Sequence, residues 1–287
     1  MQLPIVFVHG FIGHLNFPEL RIGLAAGRVI SPDLLGYGTC AAASPGTLRD
    51  QVAHLDRRIA ERFGTEPVLL VGHSGGAAIC MQFAHAFPSR VAGIVSAEGN
   101  LAPSDAYLSS RLAPMAGDKV RAWLDQARAD PAAILAQDRV VPDAVQLGRL
   151  RDWLDHQSAE VIHAMARALL VETMRPGYAA LVREVMARCP TYLIRGDRSP
   201  VAHGVSPQLL ALAAGSRLIA GAGHLMVLES PEAFSAIVAD LARECAVLAC
   251  PTPTTPTDIT ACPTRDRSSY PAWSTEASRR APRSSSS

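Results

Sequence analysis

Lysine is almost missing from this chain: Lys119 is the single lysine among 27 basic residues, and the others are arginine. Against them stand 26 acidic residues, for a formal net charge of +1. That balance excludes a general polyanion-binding face, because phosphate contacts need clustered cations. Charged residues are also scarce at 18%, but 48% of the chain is apolar, which excludes a disordered body. No uninterrupted apolar run approaches the ~18 residues that span a bilayer. The first residues, Met1 to His9, run almost directly into a strand-like segment without the basic and small-residue flanks of a secretory signal. The six cysteines (Cys40, Cys80, Cys189, Cys245, Cys250 and Cys262) form no Cys-x-x-Cys pair and no zinc-type spacing with histidine. Reduced thiols in a cytoplasmic protein are therefore expected, with no metal, no cofactor, no membrane span and no nucleic-acid partner.

What is present divides the chain into three parts. From Pro251 onward, Pro, Ser and Thr supply 21 of the last 37 residues, too little apolar surface to offset the entropy of ordering. A disordered tail is expected over 246–287. In the body, short apolar, β-branched runs alternate with helical patterns. The runs are Ile5–Val8, Arg28–Ser31, Pro67–Val71, Val91–Ser96, Thr191–Arg195 and Arg217–Ala220. Several lack the polar alternation of a half-exposed strand, as strands covered on both faces should. The helical patterns include Thr47–Arg62, Ala77–Ala86 and Pro231–Ala242. Repeated βα units predict a doubly wound α/β fold with a mostly parallel sheet. Residues 101–186 break the alternation with helical patterning alone, so they read as a helical cap inserted into a core of residues 1–100 and 187–245.

The sharpest local signal is Gly72-His73-Ser74-Gly75-Gly76, set between an apolar run and a helix-forming stretch. A nucleophile on a cramped strand-to-helix turn needs small residues two before and two after it, and the helix behind aims its positive end at the site. A serine hydroxyl also needs a base. Of nine histidines, His224 follows the last apolar run within Gly221-Ala222-Gly223-His224, at the sheet edge where Ser74 must also lie. His9, His73 and His203 are lesser candidates. An oxyanion hole requires two amides: that of Gly75, and that of Phe11 in the turn His9-Gly10-Phe11-Ile12-Gly13.

These pieces, with Asp33-Leu34-Leu35-Gly36-Tyr37-Gly38, Arg195-Gly196-Asp197-Arg198-Ser199-Pro200 and Glu229-Ser230-Pro231, resemble the α/β-hydrolase fold superfamily, and in particular its capped, esterase- and lipase-like serine hydrolases. The order Ser, acid, His along the chain fits that fold. The resemblance implies a carboxylic ester hydrolase acting on a small acyl substrate through a Ser-His-acid triad and an acyl-enzyme. Leu108, Leu112, Met115, Trp123, Leu150 and Trp153 would supply an apolar pocket. Amide, thioester, lactone and carbon–carbon cleavage use the same apparatus. A rival reading from another class is a non-catalytic, ligand-binding member of the fold.

Two departures from the family pattern stand out. The chain opens at what resembles the third strand of the family, so two edge strands are expected to be missing. Many relatives also carry the acid at the position of Ser199, which cannot hold a negative charge. Two carboxylates are left to take its place: Asp197 on the same loop, and Glu98 at the end of the strand after the nucleophile helix. Glu98 is the favoured choice, because a charge emerging from the apolar run Val91–Val95 is poorly explained as a surface group. Asp33 reads as a loop anchor.

Overall fold

Apolar runs without polar alternation build the middle of the structure. The computed structural model describes residues 2–137, 139–199 and 205–249; His203, Pro200, Cys250, Cys262 and the tail after residue 249 lie outside the described residues. Six strands pair in parallel in the order β2-β1-β3-β4-β5-β6. They are β1 (Ile5–Val8), β2 (Val29–Ile30), β3 (Val68–His73), β4 (Val91–Ala97), β5 (Thr191–Gly196) and β6 (Gly215–Ile219). Every residue of β1 and β3 is buried, because helices cover both faces of the sheet.

In sequence order the helices are α1 (Leu48–Phe63), α2 (Gly75–Ala86), α3 (Tyr107–Leu112), α4 (Gly117–Ala129), α5 (Ala132–Ala136), α6 (Ala144–Asp155), α7 (Ala159–Thr173), α8 (Tyr178–Arg188), α9 (Pro207–Leu212), α10 (Met226–Glu229) and α11 (Pro231–Ala249). A capping box starts α1: Thr47 Oγ1 accepts from the Asp50 amide and Asp50 returns a carboxylate to the Thr47 amide, satisfying two amides that would otherwise lack partners. Helix α2 packs on α1, α8 and β3. Helix α11 packs on β3, β4 and β6, covering the face that α2 leaves open. Between β4 and β5 the described residues form helices α3–α8 and no strand.

Strand order positions the site. The chain leaves β1 toward β2 on one side and β3 toward β4 on the other, so the carboxyl ends of β1 and β3 flank a topological switch point, where open α/β sheets bind ligands. The register His73↔Ala97 levels the ends of β3 and β4, and Ala97↔Ile194 brings β5 alongside. The residues just past β3, β4 and β5 are Ser74, Glu98 and Asp197.

The expected doubly wound α/β architecture is the observed one. Element ends differ in ways that matter at the site. The run Pro67–Val71 extends to His73 because Gly72 and His73 still pair with Ser96 and Ala97. The helix expected from Ala77 starts at Gly75, directly behind the serine.

Candidate active site

Ser74 occupies a backbone conformation that side chains rarely adopt, with φ 53° and ψ −124°. Such a residue costs on the order of 1–3 kcal/mol and persists only where its surroundings over-determine it. Here they do. The Ser74 amide donates to the Ala97 carbonyl at 2.9 Å, and the Ser74 carbonyl accepts from Ala77 and Asn100 amides, each at 3.1 Å. The flanking glycines are sterically required. A Cβ on Gly76 would lie 2.1 Å from the Val8 carbonyl oxygen, and one on Gly72 would lie 2.7 Å from the Ala77 amide and Cα.

Ser74 and His224 line one cavity of about 540 Å³, together with Gly10 and Phe11. Leu108, Trp123, Leu150 and Trp153 wall it from the helical section. Leu112 is buried in the hydrophobic core instead, and the half-buried Met115 packs against it. Among the described residues, the Phe11 and Gly75 amides have no hydrogen-bond acceptor, leaving both available to an anion. The helical section grips the loop that carries Phe11: Gln157 accepts from the Gly13 amide at 2.7 Å, and Trp153 donates to the His14 carbonyl at 2.7 Å. The Trp153 ring occupies the space of a Gly13 side chain.

His224 sits on the loop after β6, and two buried groups fix that loop. His73 donates its Nε2 proton to the His224 carbonyl at 2.8 Å, and Glu229 accepts from the Gly223 amide at 2.6 Å. Across from it, Glu98 also holds a left-handed backbone, φ 46°, and its side chain is 1% exposed. One carboxylate oxygen, Oε1, accepts from the Gly196 amide at 3.0 Å; the other, Oε2, accepts from Ser199 Oγ at 2.8 Å. Oε2 also lies 3.6 Å from His224 Nδ1. Asp197 is exposed and accepts from the Gly221 amide at 2.8 Å. Ser199 is thus a donor to the neighbouring strand's carboxylate rather than an acid of its own.

The other histidines have structural partners. His9 donates Nδ1–H to the Gly10 carbonyl and accepts the Leu34 amide at Nε2, so both ring nitrogens are committed. Asp33 accepts from Thr39 and pairs with His156 at 2.8 Å. His156 and Thr39 together hold its carboxyl below the usual range, against the opposing effect of burial. Asp33 anchors its loop, as its position suggested.

Burial lowers His9 to about 4 and His73 to about 3 from the ordinary 6.5. Both stay neutral in the folded protein while the unfolded chain takes up protons. Protonation therefore favours unfolding as pH falls from about 6.5 toward 4, each histidine costing up to about 1.4 kcal/mol per pH unit. Urea midpoints should be flat above pH 7 and fall steeply from pH 6 to pH 4.5. A flat profile down to pH 5 would contradict neutral, buried imidazoles.

The chain belongs to the alpha/beta hydrolase family: residues 5–237 match that family's model. A curated relative is the dihydrolipoyllysine-residue acetyltransferase component of the acetoin cleaving system of Pseudomonas putida, 28% identical over 243 residues, 80% of this chain and 60% of that protein. A lipase of Mycobacterium tuberculosis is 38% identical over 90 residues, 30% of this chain and 31% of the lipase. The chain thus matches less than two thirds of either relative's length. Among solved structures, a thermophilic esterase from Thermogutta terrifontis superposes with a TM-score of 0.62 at 21% identity, covering 85% of this chain and 90% of that one. A haloalkane dehalogenase from Bradyrhizobium elkanii does so with a TM-score of 0.64 at 19% identity, over 86% and 91%. At such identities the likeness is one of fold. No helix among the described residues is long and apolar enough to cross a membrane.

Proposed function

We propose that the protein is a serine hydrolase of carboxylic esters or related acyl compounds. The observation that carries this reading is the strained Ser74 elbow opening into the cavity that His224 also lines, with His224 Nδ1 3.6 Å from the buried Glu98 carboxylate. Ser74 Oγ attacks the acyl carbonyl while His224 Nε2 takes its proton. Phe11 and Gly75 amides receive the developing oxyanion. The leaving alcohol departs with the proton from His224, and water activated by the same imidazole releases the acid and restores Ser74. Glu98 orients the ring and balances the imidazolium; the 3.6 Å separation is of the kind that tightens when substrate binds. Helices α3–α8 act as the cap and supply the apolar walls. A hydroxyl at position 74 favours acyl over alkyl transfer, since the alkyl chemistry of a dehalogenase needs a carboxylate nucleophile.

The reading is tested with p-nitrophenyl butyrate under pre-steady-state conditions. A burst of p-nitrophenol approaching one equivalent per active site is expected, followed by slower turnover. A folded protein that releases none and whose Ser74 also resists a fluorophosphonate would instead be a ligand-binding member of the fold.

A further inference from the structure

Asn100 is buried, with 3% of its surface exposed, and it lines the cavity with Ser74 and His224. Its backbone is clamped at both ends. The amide donates to the Ser74 carbonyl at 3.1 Å, and the carbonyl accepts from the buried Tyr178 hydroxyl at 2.6 Å. The side chain is a different matter. Among the described residues its carboxamide makes no hydrogen bond, although it carries two donors and an acceptor. Its Nδ2 and Oδ1 are not among the fully sealed, unpaired polar atoms of the interior, so they keep contact with the cavity space, where a ligand oxygen can pair them. The Asn100 main chain is fixed against the nucleophile's backbone, beside the cavity that a substrate must fill.

We infer that Asn100 is a specificity-determining residue, reading a hydrogen-bonding oxygen that lies two to four bonds from the scissile carbonyl carbon of the substrate. The inference rests on the serine hydrolase reading and narrows its substrate class. The substrates are acyl compounds bearing a hydroxyl, ether or carbonyl oxygen close to the reacting bond, rather than plain alkyl esters. Asn100 Nδ2 donates to an ether or carbonyl oxygen, and Oδ1 accepts from a hydroxyl. The cavity walls Leu150, Trp153 and Leu154 are apolar and buried, so the Asn100 carboxamide is a polar contact set among apolar ones on a main chain tied to the nucleophile. A site built to bond a substrate oxygen rejects the isostere lacking it far more strongly than an apolar pocket separates two alkyl chains.

The test is a selectivity ratio in which intrinsic ester reactivity cancels. On the acyl side, kcat/KM is measured for p-nitrophenyl methoxyacetate and for p-nitrophenyl butyrate, which differ by an ether oxygen in place of a methylene. On the alcohol side, 2-methoxyethyl and butyl esters of one acid are compared. Each pair is run on the wild type, Asn100→Leu and Asn100→Ala, and both variants keep the two backbone clamps. In at least one pair the oxygenated-to-alkyl ratio of the wild type should exceed that of each variant by about 10- to 100-fold. Asn100→Asp, which keeps an acceptor but loses the donors, should also lose the ether preference. Ratios within twofold of wild type in both pairs would overturn the inference, as would variants that slow the oxygenated and alkyl substrates equally. If instead the wild type hydrolyses no ester and Ser74 resists a fluorophosphonate, it is the serine hydrolase reading that fails.

Discussion

Replacing Ser74 by alanine is expected to abolish the p-nitrophenol burst and to lower turnover by at least about 1,000-fold, to near the uncatalysed rate. The effect is large because the hydroxyl is the group that bonds to the acyl carbon. What survives is whatever the Phe11 and Gly75 amides give to water attack. The fold should tolerate the change. The bonds that hold the elbow run through the Ser74 amide and carbonyl, which alanine keeps, and alanine leaves the backbone at φ 53° no more strained than serine does. A Ser74→Ala protein that melts with the wild type but retains a burst would place the nucleophile elsewhere.

The second large effect separates the two carboxylates. Glu98→Gln is expected to reduce kcat by about 100- to 10,000-fold, the range seen when an orienting acid becomes an amide. Glutamine has the same shape, but it carries no charge to balance an imidazolium and can present its NH2 to His224 Nδ1. It also upsets two bonds that the carboxylate accepts, from Gly196 and Ser199. Asp197→Asn should stay within about threefold of wild type, since asparagine can still accept the Gly221 amide and exposed positions tolerate such changes. Normalising turnover to the folded fraction, read from a thermal melt, separates the effect of Glu98→Gln from a loss of stability: the substitution should lower kcat per folded molecule with little change in KM. Equal and mild losses from both substitutions would mean that neither carboxylate orients His224.

How much of this could be read from residues alone varied with the range of the interaction. The sheet was legible because strands covered on both faces leave unbroken apolar runs, as at Ile5–Val8 and Val68–Val71. Ser74 was legible because its requirements are local: glycines at 72 and 76 whose missing Cβ atoms the backbone would strike. His224 stood out by its place after the last strand. Glu98 could only be argued as one of two alternatives, because its role depends on β4 and β5 ending side by side. The Ser199 hydroxyl reaches a residue 101 positions away, and Gln157 holds an amide 144 positions away; no spacing rule encodes either contact. Asn100 carried no sequence signal of its own. Its meaning comes from a carboxamide on the cavity wall with no hydrogen bond among the described residues, visible once the packing is known.

The most direct measurement of the central claim is the site of reaction with a fluorophosphonate, which needs an activated serine and not the natural substrate. Peptide mapping of the labelled protein should place a single adduct on Ser74, with none formed by Ser74→Ala. An unlabelled but fully folded wild type, or an adduct on any other residue, would contradict the account.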